Sequence, residues 1–372
     1  HQKPHSRWLK VCGLLKSENV SNIDNQSLEL PLPEKTGKRL LLTVIGILAV
    51  LLTGMEIKAR QDNYPIHYPF SSDMWVGQWH RLDDLPEDQT VFVGASRVRH
   101  GFVVNEWEKQ TEIRPLNLAW PGSPAEPVLT ALAAREDFKG TVICGLTSYV
   151  AFANDGPPWM SWIGQNIRQS KVQRWSLAFH MSHAAQHFIR PRFKFINDAA
   201  YSPISNMFDG FPIADRPGMQ APLIFRFIST IDADLQDRYL DSFEQDAGLQ
   251  EAMCQVGLSL LSRMLYFGKC DMEQRIAEYK TAVDRIEGRG GKVVFVHLPS
   301  DGRLKKLVDE HFHRKQYFDR LVNVTGCLGI HYLDHPELRD IKPVEESHLS
   351  KADGILFTQG LIAILRREGV IE

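Results

Sequence analysis

The sequence predicts an α/β chain, with a parallel β-sheet covered by helices on both faces, one transmembrane helix ahead of it and a central insertion within it. Three observations carry this reading. Short β-branched runs that stop at glycine or proline alternate with segments of helical spacing, and parallel neighbours need such crossover connections. Residues 40–55, LLLTVIGILAVLLTGM, run for sixteen positions without a charge. From about 150 to 265 the alternation disappears, and aromatics, prolines and histidines take its place.

Composition sets the outer bounds. The 372 residues are 43% hydrophobic and 24% charged, an ordinary globular balance that is neither disordered nor fibrous. A formal net charge of −2 gives no global basic field, which argues against a nucleic-acid partner. The chain opens on His1, which reads as a processed or trimmed end.

Taken in order, residues 1–39 read as an N-terminal tail and 40–56 as the transmembrane helix. The uncharged run is at the short edge of the roughly 17–25 residues a bilayer crossing needs. A buried core helix would carry a polar face, and a signal peptide would not follow a leader of about forty residues. Lys35, Lys38 and Arg39 before the run, against Lys58 and Arg60 after it, lean toward a cytoplasmic N-terminus. Residues from about 60 onward then lie outside the cytoplasm, where thiols oxidise. Cys254 and Cys270 are a candidate disulfide there. The other reading keeps Cys12, Cys144, Cys254, Cys270 and Cys327 as buried small apolar groups. No pair of them has metal-ligand spacing.

The domain proper runs over 60–372. Thr90–Val93 reads as a strand, Val103–Lys109 as a helical turn, Arg114–Ala119 as a second strand ending at Trp120-Pro-Gly-Ser123, and Pro124–Glu136 as a helix. Gly140–Gly145 makes a third strand. After the insertion at about 150–265, residues 271–289 have helical periodicity, Gly290–Pro299 is a further buried strand, and Lys351–Arg367 is a helix that packs on the sheet. Inside the insertion, Trp159, Trp162 and Trp175 serve packing or a surface facing membrane or partner. His183 and His187 stand at i and i+4, a metal-compatible spacing, without the glutamate or third ligand that a zinc motif supplies.

Chemistry concentrates at two distant segments. In Val91-Phe-Val-Gly-Ala-Ser-Arg-Val-Arg-His-Gly101, a strand stops at Gly94-Ala-Ser96 and leaves a hydroxyl on the turn. In Glu345-Glu-Ser-His-Leu-Ser350, His348 sits beside acidic residues and would be the base that deprotonates Ser96. Each piece also has a structural reading. Gly-x-Ser at a strand end is often only a turn, His348 would suit the start of a helix capped by Ser347 or Ser350, and His297 suits a strand end. Arg97, Arg99 and His100 either bind an anionic substrate or line a solvated turn.

The order of Gly94-Ala-Ser96, Asn117-Leu-Ala-Trp-Pro-Gly122 and Glu345-x-x-His348 resembles the SGNH (GDSL-like) hydrolase superfamily. More narrowly it resembles the membrane-anchored SGNH-like proteins of cell-envelope polysaccharide O-acetylation, those similar to alginate acetylation proteins and to the D-alanylation protein of teichoic acid synthesis. The likeness covers roughly 88–150 and 270–367. It implies a three-layer, flavodoxin-like fold, Ser96 as nucleophile, His348 as base, and the backbone N–H groups of Ser96 and Gly122 as oxyanion donors. The family usually places an aspartate three residues before the histidine. Here the position holds Glu345, with Glu346 and Asp340 as other carboxylates within reach. The family's third block supplies an Asn donor, for which Asn154 is the nearest substitute.

The resemblance implies an O-acyltransferase of the inner membrane that acetylates a polysaccharide hydroxyl, with no cofactor. Its partners would be a membrane-bound O-acyltransferase-type protein and the polysaccharide acceptor. The alternatives are an anchored serine esterase or lipase, and a non-catalytic SGNH-like scaffold in a polysaccharide-modifying complex.

Overall fold

A computed structural model describes residues 34–154, 162–197 and 228–372. Cys12 and Trp159 lie outside the described residues. The chain divides into two compact units, one ending at Gly54 and one running from Met55 to Glu372. The helix Glu34–Gln61 passes through that boundary. Within it, Gly37–Gln61 has a mean hydropathy of 2.4 over its most apolar window and is long and apolar enough to cross a membrane, the one such helix among the described residues. It is longer than the run 40–56 because the residues after Met55 continue the helix, and its last turns fold into the second unit. There Ala59 and Tyr64 pack with Phe195 and Leu240.

The second unit is built on a five-stranded sheet, every pair of which is parallel. Its strands are β1 (Val91–Gly94), β2 (Leu116–Asn117), β3 (Thr141–Leu146), β6 (Lys292–His297) and β7 (Leu328–His331), in the order β2-β1-β3-β6-β7. A separate antiparallel hairpin, β4 (Ser229–Ile231) with β5 (Asp237–Tyr239), forms from the chain between β3 and β6. β-branched residues fill β3 and β6 because both faces of a central parallel strand are buried. Period-2 alternation sends Val91 and Val93 to one core and Phe92 to the other.

Each face carries its own helices. On one, Lys351–Arg367 packs beside Ser96–Gly101 and Val104–Thr111. On the other, Met272–Glu287 lies against Glu126–Ala133 and Phe318–Thr325. One expected strand is shortened and one strand is new. β2 is only two residues long, since it is an edge strand and the Asn117 side chain bonds the backbone N–H of Ala119 at 3.1 Å just after it. β7 has no clear sequence signal, since Gly329 interrupts its short run.

Between β3 and β6 stand Trp162–Gln173 and Leu177–Ile189, which pack on Ser72–His80, then the β4–β5 hairpin and the long helix Ala247–Phe267. That last helix overturns the disulfide reading. Cys254 and Cys270 are not bonded to each other. From Cys254 to Phe267 the chain climbs thirteen helical positions, about 20 Å at 1.5 Å per residue, far beyond the separation a disulfide spans. Cys254 Sγ lies instead 3.1 Å from Arg303 Nη2.

Candidate active site

Ser96 stands where β1 gives way to a helix. Gly94 adopts φ 149°, and a Cβ there would come within 2.5 Å of both Gly145 O and Val98 Cγ2. Only glycine lets the strand end so close to β3 and turn at once into Ser96–Gly101. Ala95 is extended and Ser96 is the first helical residue, at the carboxyl edge of the sheet.

The segment Glu345–His348 is a tight loop in which the N–H of Val344 donates to His348 O at 2.9 Å. The Glu345 carboxylate reaches forward to accept the backbone N–H of His348 at 2.7 Å, a local bond that fixes the histidine's approach. The same Oε1 lies 2.6 Å from His348 Nδ1, and His348 Nε2 lies 2.8 Å from Ser96 Oγ. The network fits the tautomer with Nδ1–H donating to the carboxylate, which leaves Nε2 to accept the serine hydroxyl. The Glu345 side chain is 1% exposed and the imidazole 13%, so the acid is sealed while the base can be reached.

A further donor comes from outside the sheet. The hydroxyl of Tyr239, at the end of β5, donates to Glu345 Oε1 at 2.9 Å. Burial first, and then the neighbouring carboxylate, push the Tyr239 pKa well above 10, so it remains a hydroxyl donor. The ring of His100 lies 4.8 Å from that of His348. Burial first, then His348 and Arg99, hold His100 well below 6.5, which keeps it neutral. Tyr239 is not legible in the sequence as a neighbour of the site, because a hairpin between strands of the sheet leaves no periodic trace of what it will touch.

The alternative acids separate cleanly. Glu346 adopts a left-handed φ of 69° and turns away to accept from the N–H of Leu304 at 2.8 Å and from Arg303 Nε at 3.1 Å. Asp340 is exposed beside Arg339. Ser350 caps the helix Lys351–Arg367 through the N–H of Asp353, while Ser347 accepts from Arg97 Nε at 3.4 Å.

The N–H of Trp120 donates to Gly94 O at 2.9 Å, which sets the turn Trp120–Ser123 beside the end of β1. Gly122 adopts φ 69° in that turn. No acceptor for the backbone N–H of Ser96 or of Gly122 is found among the described residues. The same turn buries Trp120 Nε1 and Ser123 Oγ without partners.

Arg97 and Arg99 are buried, which removes the solvated-turn reading for both. Arg97 lies over the Tyr149 ring at 5.6 Å, and its Nη2 is buried without a partner. Arg99 is 0% exposed and donates to Asp237 Oδ1 at 2.9 Å, an ion pair that ties the helix after Ser96 to β5. Asn154 is exposed, with its side-chain amide donating to Phe267 O at 3.2 Å and its backbone N–H to Gly268 O at 3.0 Å, and neither bond reaches Ser96. His297 ends β6, 3.3 Å from Ser148 Oγ and stacked on His331 at 4.5 Å. His183 and His187 face each other at 3.2 Å, and among the described residues no group of three ligating side chains forms.

A hydroxyl bonded to an imidazole that is held by a buried carboxylate is the arrangement by which serine becomes a nucleophile. A scan against protein-family models matches none to this chain, and a search of curated proteins returns no relative.

Proposed function

We propose that this protein is a membrane-anchored, SGNH-like O-acyltransferase that carries an acyl group, most simply acetyl, onto a hydroxyl of an envelope polysaccharide. The observation that carries the reading is the unbroken chain from Ser96 Oγ through both nitrogens of His348 to Glu345, at 2.8 and 2.6 Å. The order of the motifs around Ser96, Gly122 and His348 supports the same assignment.

In this mechanism Ser96 Oγ attacks the carbonyl carbon of a donor ester while His348 Nε2 takes the hydroxyl proton. Glu345 stabilises the imidazolium that forms. The tetrahedral oxyanion accepts from the N–H groups of Ser96 and Gly122. Its collapse breaks the bond to the donor oxygen, which leaves with the proton from His348. A sugar hydroxyl then attacks acyl-Ser96, His348 takes its proton, and the serine is regenerated.

The N-terminal helix holds the site at the inner membrane, with the N-terminus in the cytoplasm and the catalytic unit outside it. An acyl donor made in the cytoplasm must then be passed across, which calls for a membrane-bound O-acyltransferase-type partner. The test uses the full chain in detergent or vesicles with a chromogenic acetyl ester, with and without an oligosaccharide acceptor. Acetylated sugar that is lost in Ser96→Ala and His348→Ala is the expected result. Hydrolysis indifferent to acceptor would make the protein an esterase, equal activity in both variants would eliminate the triad, and no activity in the parent chain would leave a non-catalytic scaffold.

A further inference from the structure

The helix Leu177–Ile189 is built inside out for a helix on a water-facing surface. Leu177, Met181, Ala184, Ala185 and Phe188 fall at i, i+4, i+7, i+8 and i+11, one stripe, and all five are exposed. Leu177 is 72% exposed and Met181 64%. The opposite face, which meets the rest of the unit, carries Phe179 and the histidines His183 and His187. A Cβ on Gly77 would strike the His183 ring, and His187 packs against Tyr68. Just before the helix, Trp175 is 85% exposed.

Within the segment that carries the stripe the charge has one sign, and of its basic side chains Arg174 is paired with Asp83 at 3.2 Å. Residues 162–197 contain Arg168, Lys171, Arg174, Arg190, Arg192 and Lys194 and no aspartate or glutamate, in a chain whose net charge is −2. An exposed apolar stripe with a tryptophan at its rim and basic residues at both ends is the pattern of a helix lying in a lipid interface.

Its position agrees. The residues that follow the helix are bonded to the last turns of Glu34–Gln61 and the residue pair beyond. The N–H of Phe195 donates to Glu56 Oε2 at 3.1 Å, Arg60 Nη2 to Arg192 O at 3.0 Å, and Lys194 Nζ to Asn63 Oδ1 at 3.3 Å. Residues 56–63 directly follow the apolar stretch and would emerge at the bilayer surface.

We infer that the helix Leu177–Ile189 docks on anionic phospholipid, with Leu177, Met181 and Phe188 in the boundary between headgroups and acyl chains and the flanking basic side chains on lipid phosphates. This rests on reading Glu34–Gln61 as a membrane anchor. Docking at a second point of the chain would fix the catalytic unit against the membrane and limit the reach of Ser96 to acceptors held near that surface.

The test places the photocrosslinker p-benzoylphenylalanine at position 181 or 188 of the full chain, and at the exposed Lys306 as control. Each protein is irradiated in vesicles of phosphatidylcholine with one quarter phosphatidylglycerol, and in native membranes. The expected result is phospholipid adducts at 181 and 188, at least about fivefold above those at 306 and lower without phosphatidylglycerol. Adducts no more frequent than at 306 would overturn docking, as would a discrete protein adduct replacing lipid in native membranes. Alkaline extraction of the same vesicles separates the two readings. A chain that resists extraction without lipid adducts loses the docking alone, whereas a chain that is extracted loses the anchor and the docking with it.

Discussion

The parallel sheet and the segment between β3 and β6 reach the same three side chains by different routes. The sheet and the loop that follows it supply the bonded side chains, with Ser96 at the end of β1 and Glu345 and His348 on the loop before the last helix. The intervening segment supplies the groups that hold them. Tyr239 bonds Glu345, Asp237 bonds Arg99, and the Gln236 side chain caps the N–H of Val104 at 3.0 Å. Ser96 thus rides on a strand end, where backbone geometry is fixed by pairing on both sides, while Glu345 and His348 come from a loop capped onto the last helix. Their supports come from a hairpin that touches the sheet through side chains alone.

That contrast sets the expected size of each perturbation. Ser96→Ala and His348→Ala should each lower acyl transfer about 10⁴-fold or more, since groups acting as a unit fail together. Their unfolding midpoints in urea should stay near the parent's. Glu345→Gln should cost about 10⁴-fold, because an amide can hold the imidazole in the wrong tautomer. A loss of only a few-fold would transfer the carboxylate's importance to the hairpin.

On the supporting side the effects should fall on stability. Arg99→Met leaves Asp237 buried without its cation and should destabilise by about 3–5 kcal/mol. Adding Asp237→Leu should restore most of that loss in the same denaturation series. If the single variant is neutral, the hairpin does not depend on the pair.

Acid should then act on both regions together. Burial first, then nearby cationic groups, lowers His331 at the end of β7 to about 4. Burial and the neighbouring His187 lower His183, between β3 and β6, also to about 4. A histidine with a depressed pKa in the folded state favours folding when neutral. Its contribution is present above about 6.5 and is lost as pH falls from there toward about 4. The urea midpoint should therefore drop across that window, and His331→Gln and His183→Asn should each flatten the drop. The smallest effect belongs to Tyr239→Phe. It removes one bond to Glu345 and should lower turnover about tenfold while costing about 1 kcal/mol of stability.

What could be read from sequence follows the same division. β1, β3, β6 and the final helix were visible because burial on both faces selects branched runs, and helical spacing marks a one-sided helix. Ser96, His348 and the preceding acid were visible because a turn after a strand and a three-residue loop are local features. Tyr239 was not, since its value lies in a contact across 106 positions of chain. Of the two readings of Arg97 and Arg99, burial leaves only substrate binding or a structural role. Adjacency to a polar turn leaves a solvated turn open as well as an anion site, and the fold removes the solvated turn by burying both side chains. The disulfide failed because spacing says nothing of an intervening helix that holds the two thiols apart.

The central claim is that His348 activates Ser96, and it can be tested without knowing the substrate. The full chain is treated with a fluorophosphonate and the modified residue is found by peptide mass spectrometry. The account predicts labelling at Ser96 that is lost in His348→Ala and slowed in Glu345→Gln. Labelling elsewhere, or labelling of Ser96 at an unchanged rate in His348→Ala, would contradict it.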